Sequence, residues 1–389
     1  MSKISYIRHT MILEFGAKNF FSFKEGFEVL FQKSKNSTDD ISNIIALKGA
    51  NASGKTNVLK VLSFLQSFVT DSFSNLKPDE EIKISSYFFN ELPIEVYIIF
   101  LNNGIEYKYE IILTNKKVIN EKIYRTKKRE TLIIERSEHK VTTIEEYSEL
   151  ETININRKNA SIISIAKQYA IKEIDIIFNL FNFITNVDEL GKLDNRDRFL
   201  DYNTVSKIYY GNKELLNFVI EFLKKADSGI SNIYIEKRKE AENGNTIYFP
   251  LFDYNLEKGN HYLTYFEQSS GIQTLYLQLH LYLTVIGTGS VLALDEFDIN
   301  LHPDLLPMLL DFFENKTTNA KNAQLILTTH NYDIMDRLGK YKTILVNKEK
   351  SESFLYRLDE IPGDIIRNNR PISPIYNANK IGGKPRIKI

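Results

Sequence analysis

The apolar positions along the chain follow two different periods, and the first of them indicates strands. Residues 11–20 and 27–31 are short runs of β-prone residues, and residues 44–48 form a mostly apolar run of the kind found in buried parallel strands. After a glycine-rich turn the spacing becomes helical, and one face collects Val58, Leu59, Leu62, Leu65 and Val69. The pattern therefore predicts strands followed by a long amphipathic helix.

Alternation returns in residues 94–101 and 105–113, which are joined by Asn102-Asn103-Gly104, a sequence typical of a hairpin turn. Helical spacing follows in residues 164–184 and 214–226. Buried-strand patterns come back at residues 291–296, 324–330 and 342–346, separated by helical runs, which is the order of a parallel sheet.

These changes divide the chain into three predicted segments. Residues 11–140 form an N-terminal lobe with a β-meander, residues 141–247 a mainly helical insertion, and residues 248–389 a C-terminal lobe. The predicted fold class is α/β, with a mixed core sheet, an antiparallel β-lobe and the helical insertion.

Composition narrows the class of protein. The 389 residues are 43% hydrophobic, and 50 acidic residues balance 50 basic ones, so no overall charge would gather nucleic acid or anionic lipid. The chain has no cysteine, which excludes disulfides and thiolate zinc sites, and it has no run of about 18 apolar residues. We expect a cytoplasmic protein that does not enter a membrane.

The stretch GANASGKT matches the pattern G-x-x-x-x-G-K-[ST], with Gly49, Gly54, Lys55 and Thr56 at the fixed positions. It lies between a predicted buried strand and a predicted helix, where backbone N–H groups and the helix N-terminus meet phosphate oxygens. Lys55 would neutralise phosphate oxygens and Thr56 would ligate Mg²⁺. We therefore expect ATP and Mg²⁺ as ligands, with further nucleotide contacts from Asn51, Ser53 and Asn57.

A second acidic site follows the apolar run of residues 291–294. Asp295 and Glu296 come at the carboxyl end of a predicted parallel strand, the edge where such sheets bind ligands. Asp295 is a candidate Mg²⁺ ligand, and Glu296 a candidate base that orients or deprotonates water. The alternative is that both carboxylates only cap the helix predicted at residues 304–313.

Two further segments have a functional and a structural interpretation. Ser270 and Gly271 precede a helix and could bind an anion or merely cap that helix. His330 follows a buried strand and could hydrogen-bond a γ-phosphate or be an ordinary histidine at a sheet edge.

The order GANASGKT, SSGIQ, LALDE, INLHP and TTH resembles the ABC-type ATPases of the SMC, RecF and OLD-like group. It is more similar to the single-chain AAA-family ATPases of abortive-infection and other phage-defence operons. The resemblance covers residues 11–387, including the C-terminal stretch YNANKIGGKPRI. It implies an ABC-like head with a P-loop in the N-terminal lobe.

The resemblance also implies roles for individual residues. Ser270 and Gly271 would be the signature that contacts the γ-phosphate held by a partner protomer, residues 298–302 would face the dimer interface, and His330 would be the switch histidine. Ile272 stands where transporters carry a second glycine. The glutamine that senses Mg²⁺ in the wider superfamily is unassigned, because Gln66 is badly placed for that role.

The leading hypothesis is an ATPase that acts as sensor or scaffold in anti-phage defence. The ATPase would form a homodimer or higher oligomer with composite ATP sites and would control a separate nuclease or toxin. Only 59 residues follow His330, and the six histidines do not cluster, so we expect no nuclease within the chain.

Three alternatives stay open. One is a DNA-repair clamp that uses basic patches at residues 127–129 or at Lys380, Lys384, Arg386 and Lys388. Another is a nucleotide-gated scaffold with negligible turnover, against which Glu296 argues. A small-molecule kinase would leave the SSGIQ, NLHP and TTH segments without purpose.

Overall fold

The structure is a computed structural model that describes residues 10–32, 41–188, 191, 201–239, 244–256, 259–362, 365–366 and 370–384. The chain divides into two compact units. The first comprises Met1–Lys192, Thr288–Phe297 and Phe313–Ile389, and the second comprises Leu193–Gly287 and Asp298–Phe312. The predicted division at residues 140 and 247 stays a prediction.

The first unit contains a seven-stranded antiparallel sheet, the β-lobe, in the order β2-β1-β4-β5-β6-β7-β8. Its strands are β1 Thr10–Lys18, β2 Phe27–Leu30, β4 Ile94–Asn102, β5 Ile105–Leu113, β6 Val118–Thr126, β7 Glu130–Ser137 and β8 Lys140–Thr143. Asn102 pairs with Ile105, and both loop residues, Asn103 and Gly104, have positive φ angles of 51° and 79°. The predicted hairpin turn is therefore confirmed, since asparagine and glycine tolerate this conformation.

The first unit also contains a six-stranded core sheet in the order β16-β15-β3-β14-β13-β9. Its strands are β3 Ile44–Lys48, β9 Phe183–Thr185, β13 Val291–Leu294, β14 Gln324–Thr328, β15 Thr343–Glu349 and β16 Glu352–Arg357. Only β16 is antiparallel to its neighbour. All residues of β3, β13 and β14 are buried, as expected for central strands of a parallel sheet. The predicted α/β class with a mixed core sheet and an antiparallel lobe is confirmed.

The helices of the first unit are α1 Lys55–Asn75, α2 Ile162–Gln168, α3 Asp175–Phe178, α8 Tyr332–Leu338 and α9 Ser373–Asn377. The predicted apolar face of α1 is confirmed, because its five residues are fully buried in the main hydrophobic core. The continuous helix expected over residues 164–184 is wrong. Ala170 adopts a left-handed conformation after α2, and Phe183–Thr185 pair with β13 as strand β9.

The second unit holds α4 Tyr202–Gly211, α5 Lys213–Ala226 and α6 Ser270–Thr288. It also holds a three-stranded antiparallel sheet of β10 Ile230–Lys239, β11 Thr246–Leu256 and β12 Gly259–Thr264. Helix α7, Leu306–Glu314, follows a short 3-10 helix. Among the described residues, none of the helices combines the length and the apolar character that a membrane span requires.

Candidate functional site

The glycine-rich loop connects β3 to α1 at the carboxyl edge of the core sheet. A Cβ atom on Gly49 would lie 2.2 Å from the carbonyl oxygen of Val346, so only glycine fits there. Gly54 precedes α1 with a φ of 110°, and Ala52 is left-handed with a φ of 60°. The loop therefore turns tightly between a buried strand and a helix N-terminus, which is the arrangement of a phosphate-binding loop.

Two side chains within this loop are suited to an anion. The Ser53 hydroxyl is buried, with its residue 3% exposed, and it has no hydrogen-bond partner. The Lys55 ammonium donates to the carbonyl oxygens of Gly49 and Ala50, at 2.9 and 3.0 Å. An unsatisfied buried hydroxyl is costly, and a bound phosphate oxygen would satisfy it. The Lys55 ammonium is thus held within the loop by hydrogen bonds that phosphate oxygens could replace.

The two sequence-predicted magnesium ligands are in direct contact. Thr56 Oγ1 donates to Asp295 Oδ2 at 2.8 Å, although 239 residues separate them. The other carboxylate oxygen of Asp295 accepts from Thr328 Oγ1 at 2.6 Å, and Asp295 is only 6% exposed. A hydroxyl and a carboxylate beside a phosphate loop are the oxygen donors that Mg²⁺ prefers. No group of three or more His, Asp or Glu that could hold a metal occurs among the residues the structure describes.

Glu296 follows Asp295 in a strained conformation. Its φ is 53°, a left-handed value that costs a residue other than glycine on the order of 1–3 kcal/mol. Its N–H donates to Thr328 Oγ1 at 2.7 Å, so one threonine hydroxyl holds both acidic residues. The capping alternative is not what the structure shows, because His302 caps the 3-10 helix before α7.

Thr328 and Asn186 complete the acidic site, and sequence reasoning missed both. Asn186 follows the edge strand β9, and its side chain accepts from Asp295 N at 2.7 Å and donates to Asp295 O at 3.0 Å. The amide thereby fixes the main chain of the candidate magnesium ligand.

A buried lysine on α1 adds positive charge close to the same carboxylate. Burial lowers the pKa of Lys60, and the charges of Asp188 and Asp295 partly offset that effect. The Lys60 ammonium also lies 4.2 Å from the centre of the Phe21 ring. Lys60 therefore contributes to the electrostatic environment of Asp295 from the side of the helix.

Asn57, another predicted contact, lies in a cluster of small polar side chains beside the loop. Its Nδ2 donates to Ser22 Oγ at 2.8 Å, and Ser353 Oγ donates to the same oxygen at 2.8 Å. Both serine hydroxyls lie under 3 Å from the position of a Cβ on Gly54. Asn51, by contrast, is exposed at the tip of the loop.

His330 lies two residues after the end of β14 at the same sheet edge, and its side chain is exposed. The loop around it is held from both sides. Thr329 N donates to Leu47 O at 3.1 Å, and Asn331 caps α8 by accepting from Asp333 N at 2.7 Å. The histidine is therefore presented at the carboxyl edge by an ordered backbone.

Ser270 and Gly271 lie in the second unit, at the start of α6. Ser269 Oγ accepts from Ile272 N at 3.4 Å, so Ser269 provides the helix cap and Ser270 is left exposed. A Cβ on Gly271 would lie 2.8 Å from the carbonyl oxygen of Asn300, which has a left-handed φ of 62°. Within this unit, the predicted signature glycine and the predicted interface segment 298–302 are thus in close contact.

Comparison with known proteins identifies a family. The family model described as "AAA domain, putative AbiEii toxin, Type IV TA system" matches residues 44–336. No curated protein matches the chain. Among solved structures, the SMC head domain from Thermotoga maritima is similar at 15% identity and a TM-score of 0.42, covering 89% of this chain and 98% of that one. The Smc head domain with a coiled coil and joint from Pyrococcus yayanosii is similar at 10% identity and a TM-score of 0.43, covering 95% and 100%.

Proposed function

The chain belongs to the family of AAA domains described as putative AbiEii toxin of type IV toxin–antitoxin systems, and we propose that it binds and hydrolyses ATP. One observation carries the proposal. Thr56 of the phosphate loop and Asp295 of a distant strand share a hydrogen bond, while the loop hydroxyl of Ser53 is buried without a partner. This pairing fits a Mg²⁺-nucleotide site.

Each residue at this edge would then have a defined role. Bound ATP would supply the phosphoanhydride bond, and Thr56 and Asp295 would hold Mg²⁺, which would neutralise phosphate charge. The Lys55 ammonium would turn from the loop carbonyls to the β- and γ-phosphate oxygens. Glu296, held beside Asp295 by Thr328, would accept a hydrogen bond from the attacking water and orient it. His330 would hydrogen-bond the γ-phosphate.

The second unit would complete a site on another copy of the chain. Ser270 is exposed at the N-terminus of α6, a helix of 19 residues, and Gly271 lies beside it. Such a helix end favours an anion. ATP would therefore join two protomers, and hydrolysis would loosen them.

The biological role that we propose is that of a sensor or scaffold in anti-phage defence, coupled to a separate toxin or nuclease. The support is the family description, which names a toxin of type IV systems.

The test combines mass measurement with phosphate release. We expect the purified chain to associate with ATP and Mg²⁺ in light scattering, and to release phosphate slowly. Glu296→Gln should reduce turnover about 100-fold or more while retaining ATP, so that the associated form accumulates. The matched control is Glu173→Gln, at an exposed glutamate outside the site, which should change neither property.

The same experiment separates the alternatives. If Glu296→Gln leaves turnover and assembly unchanged, the hydrolytic mechanism is wrong; association with ATP but without any turnover would favour the nucleotide-gated scaffold. Copurification with the product of a neighbouring gene that is a toxin or nuclease would support the defence role.

A DNA clamp is the second candidate, and one observation favours it. Lys127, Lys128 and Arg129 form an exposed basic turn between β6 and β7. Lys380 and Lys384 of the other basic stretch are described, whereas Arg386 and Lys388 lie outside the described residues. Turnover that rises on adding duplex DNA, and that loses this response when residues 127–129 are replaced by alanine, would establish the clamp.

A further inference from the structure

Lys48, the last residue of β3, carries a charge in an unusual place. The residue precedes Gly49 of the phosphate loop and is only 2% exposed, although lysine is almost never fully buried unless it is paired. Burying an ammonium group is costly, and an apolar residue would serve the core sheet better. A purpose beyond packing is therefore expected for this side chain.

The ammonium group of Lys48 holds the backbone of the predicted switch histidine. Its Nζ donates to the main-chain oxygen of His330 at 2.7 Å and lies 3.3 Å from that of Asn331. The lysine and His330 are 282 residues apart in the sequence. They meet because β3 pairs with β14, so that the carboxyl ends of the two strands lie side by side. A charge-assisted bond of this kind fixes the carbonyl, and with it the direction in which the histidine side chain leaves the backbone.

Aromatic rings from two segments enclose the same ammonium. The centre of the Tyr332 ring is 4.2 Å from Lys48 Nζ, and that of Tyr376 is 5.2 Å away. The two rings meet edge to face with their centres 5.6 Å apart. Cation–π attraction holds the Lys48 ammonium in place, and desolvation strengthens its hydrogen bonds to the main-chain oxygens of His330 and Asn331.

Tyr376 belongs to the C-terminal stretch that the nucleotide site does not otherwise use. Its hydroxyl donates to Gly383 O at 2.7 Å, and Gly383 N donates to Asn347 Oδ1 at 2.6 Å. Gly383 has a φ of 78°, and a Cβ there would lie 2.8 Å from the Tyr376 ring, so the position requires glycine. The stretch is thus anchored to β15 in a specific conformation.

The same C-terminal stretch also holds the helix that follows His330. Asp336 of α8 accepts from Ile372 N at 2.6 Å and from Ser373 N at 2.7 Å. Met335 and Tyr376 share a separate small hydrophobic core. The residues after His330 are therefore clamped by Lys48 on one side and by the C-terminal stretch on the other.

From these contacts we propose that Lys48 is a positioning residue for His330, and that Tyr376 of the C-terminal stretch holds Lys48 in place. The role of His330 toward ATP rests on the proposed function, whereas the position of His330 does not. A readout of that position is therefore needed beside turnover.

The experiment uses the full chain with ¹³C-labelled histidine side chains, with the His330 resonance among the six assigned by His330→Gln. Lys48→Met should shift or broaden the His330 resonance without nucleotide. It should also lower kcat about tenfold with KM within about twofold, because the loss falls on the transition state. Lys48→Arg, which can donate to both carbonyl oxygens, should restore most of kcat.

The matched control is Lys342→Met, at a lysine just before β15 and at the opposite edge of the sheet, where it pairs with Glu314. It should leave the His330 resonance and kcat unchanged. An unmoved His330 resonance in Lys48→Met, or a loss of activity confined to KM, would overturn the positioning role.

Two further outcomes are distinguishable. If the wild type does not hydrolyse ATP, the proposed function fails, and the His330 resonance still decides the role of Lys48. If Lys48→Met does not fold, Tyr376→Leu retains the lysine while removing the ring and its bond to Gly383. This variant should still shift or broaden the His330 resonance, and no shift at all would refute the proposal.

Discussion

Two buried polar clusters lie in the first unit, one in the β-lobe and one at the edge of the core sheet, and they differ in how well they are satisfied. In the β-lobe, Glu121 accepts from Tyr109 Oη at 2.9 Å, Ser161 Oγ at 2.6 Å and Ile162 N at 2.9 Å. Arg136 Nη1 lies 3.7 Å from the same carboxylate, and both charged side chains are fully buried.

Every nitrogen of the Arg136 guanidinium donates to a main-chain oxygen, those of Glu138, Ala160 and Arg157. Burial lowers the pKa of Arg136, and the Glu121 charge partly offsets this. None of the four residues of the cluster, Tyr109, Glu121, Arg136 and Ser161, has a positive φ angle. A network of this kind joins strands to the α2 segment and needs nothing from outside.

The cluster at the core-sheet edge has the opposite character. Ser53 has a buried hydroxyl without a partner, Glu296 is strained, and Lys55 is satisfied by loop carbonyls. Strain and unsatisfied groups lower stability unless a ligand compensates for them. We infer that an unsatisfied hydroxyl together with backbone strain, rather than burial of charge, distinguishes the proposed nucleotide site from the β-lobe cluster.

The largest change in the free energy of unfolding that would test this contrast is expected for a substitution in the β-lobe. Arg136→Met leaves Glu121 buried without its countercharge, so the free energy of unfolding should fall by about 3–5 kcal/mol. Urea unfolding followed by circular dichroism would measure the loss. Protein that remains folded should bind ATP with unchanged affinity.

The paired variant Glu121→Gln/Arg136→Met serves as the control for the β-lobe prediction. Removing both charges should recover much of the stability that the single change loses. If the single change Arg136→Met lowers the free energy of unfolding by less than about 1 kcal/mol, the β-lobe network does not stabilise the fold.

At the core-sheet edge, Lys55→Ala should weaken ATP binding and leave the free energy of unfolding nearly unchanged, the reverse of Arg136→Met. ATP affinity should fall at least about 100-fold, which is about 2.7 kcal/mol, because the phosphates lose their ammonium partner. Titration with a fluorescent ATP analogue measures the affinity. The nucleotide-free protein should unfold within about 1 kcal/mol of the wild type, since the change is confined to the loop.

Nucleotide linkage gives an independent check of Lys55→Ala. ATP with Mg²⁺ at 100 times the dissociation constant should stabilise the wild type by about 2.7 kcal/mol, and the same concentration should barely stabilise the variant. Lys342→Ala, at the other edge of the sheet, should keep the full ligand-induced stabilisation. Equal stabilisation of Lys55→Ala and wild type would place the nucleotide elsewhere.

The sequence alone was sufficient to predict those elements that short stretches of neighbouring residues determine. The loop residues Gly49, Gly54 and Lys55, the hairpin turn at Asn103-Gly104 and the end of α5 at Ala226 all follow from short patterns. Each depends on backbone conformations or helix periods that a few neighbouring residues determine.

The remaining features depend on pairing between distant segments, which no local pattern carries. Phe183–Thr185 form a strand because β13 offers an edge, although their spacing continues a helical run. Asn186 reaches Asp295 across 109 residues, and Lys48 reaches His330 across 282. An asparagine after an apolar run and a lysine before a glycine are too common to single out from sequence alone.

The smallest expected effect is the change in the free energy of unfolding when a buried serine is replaced by alanine. It is also the most specific, because its sign should differ between the two clusters. Ser53→Ala removes a buried hydroxyl that has no partner, so the free energy of unfolding should rise by up to about 1 kcal/mol. ATP affinity should fall about three- to tenfold, since the hydroxyl would otherwise bond a phosphate oxygen. Thermal unfolding and nucleotide titration of one preparation give both numbers.

Ser161→Ala in the β-lobe is the matched change, because this buried hydroxyl donates to Glu121 and accepts from Ile163 N at 3.1 Å. It should lower the free energy of unfolding by about 1–2 kcal/mol and leave ATP affinity unchanged. If both serine variants lost stability alike, the Ser53 hydroxyl would be an ordinary structural group. Stabilisation together with weaker ATP binding at Ser53, and only destabilisation at Ser161, would show that the core-sheet cluster is organised around its ligand.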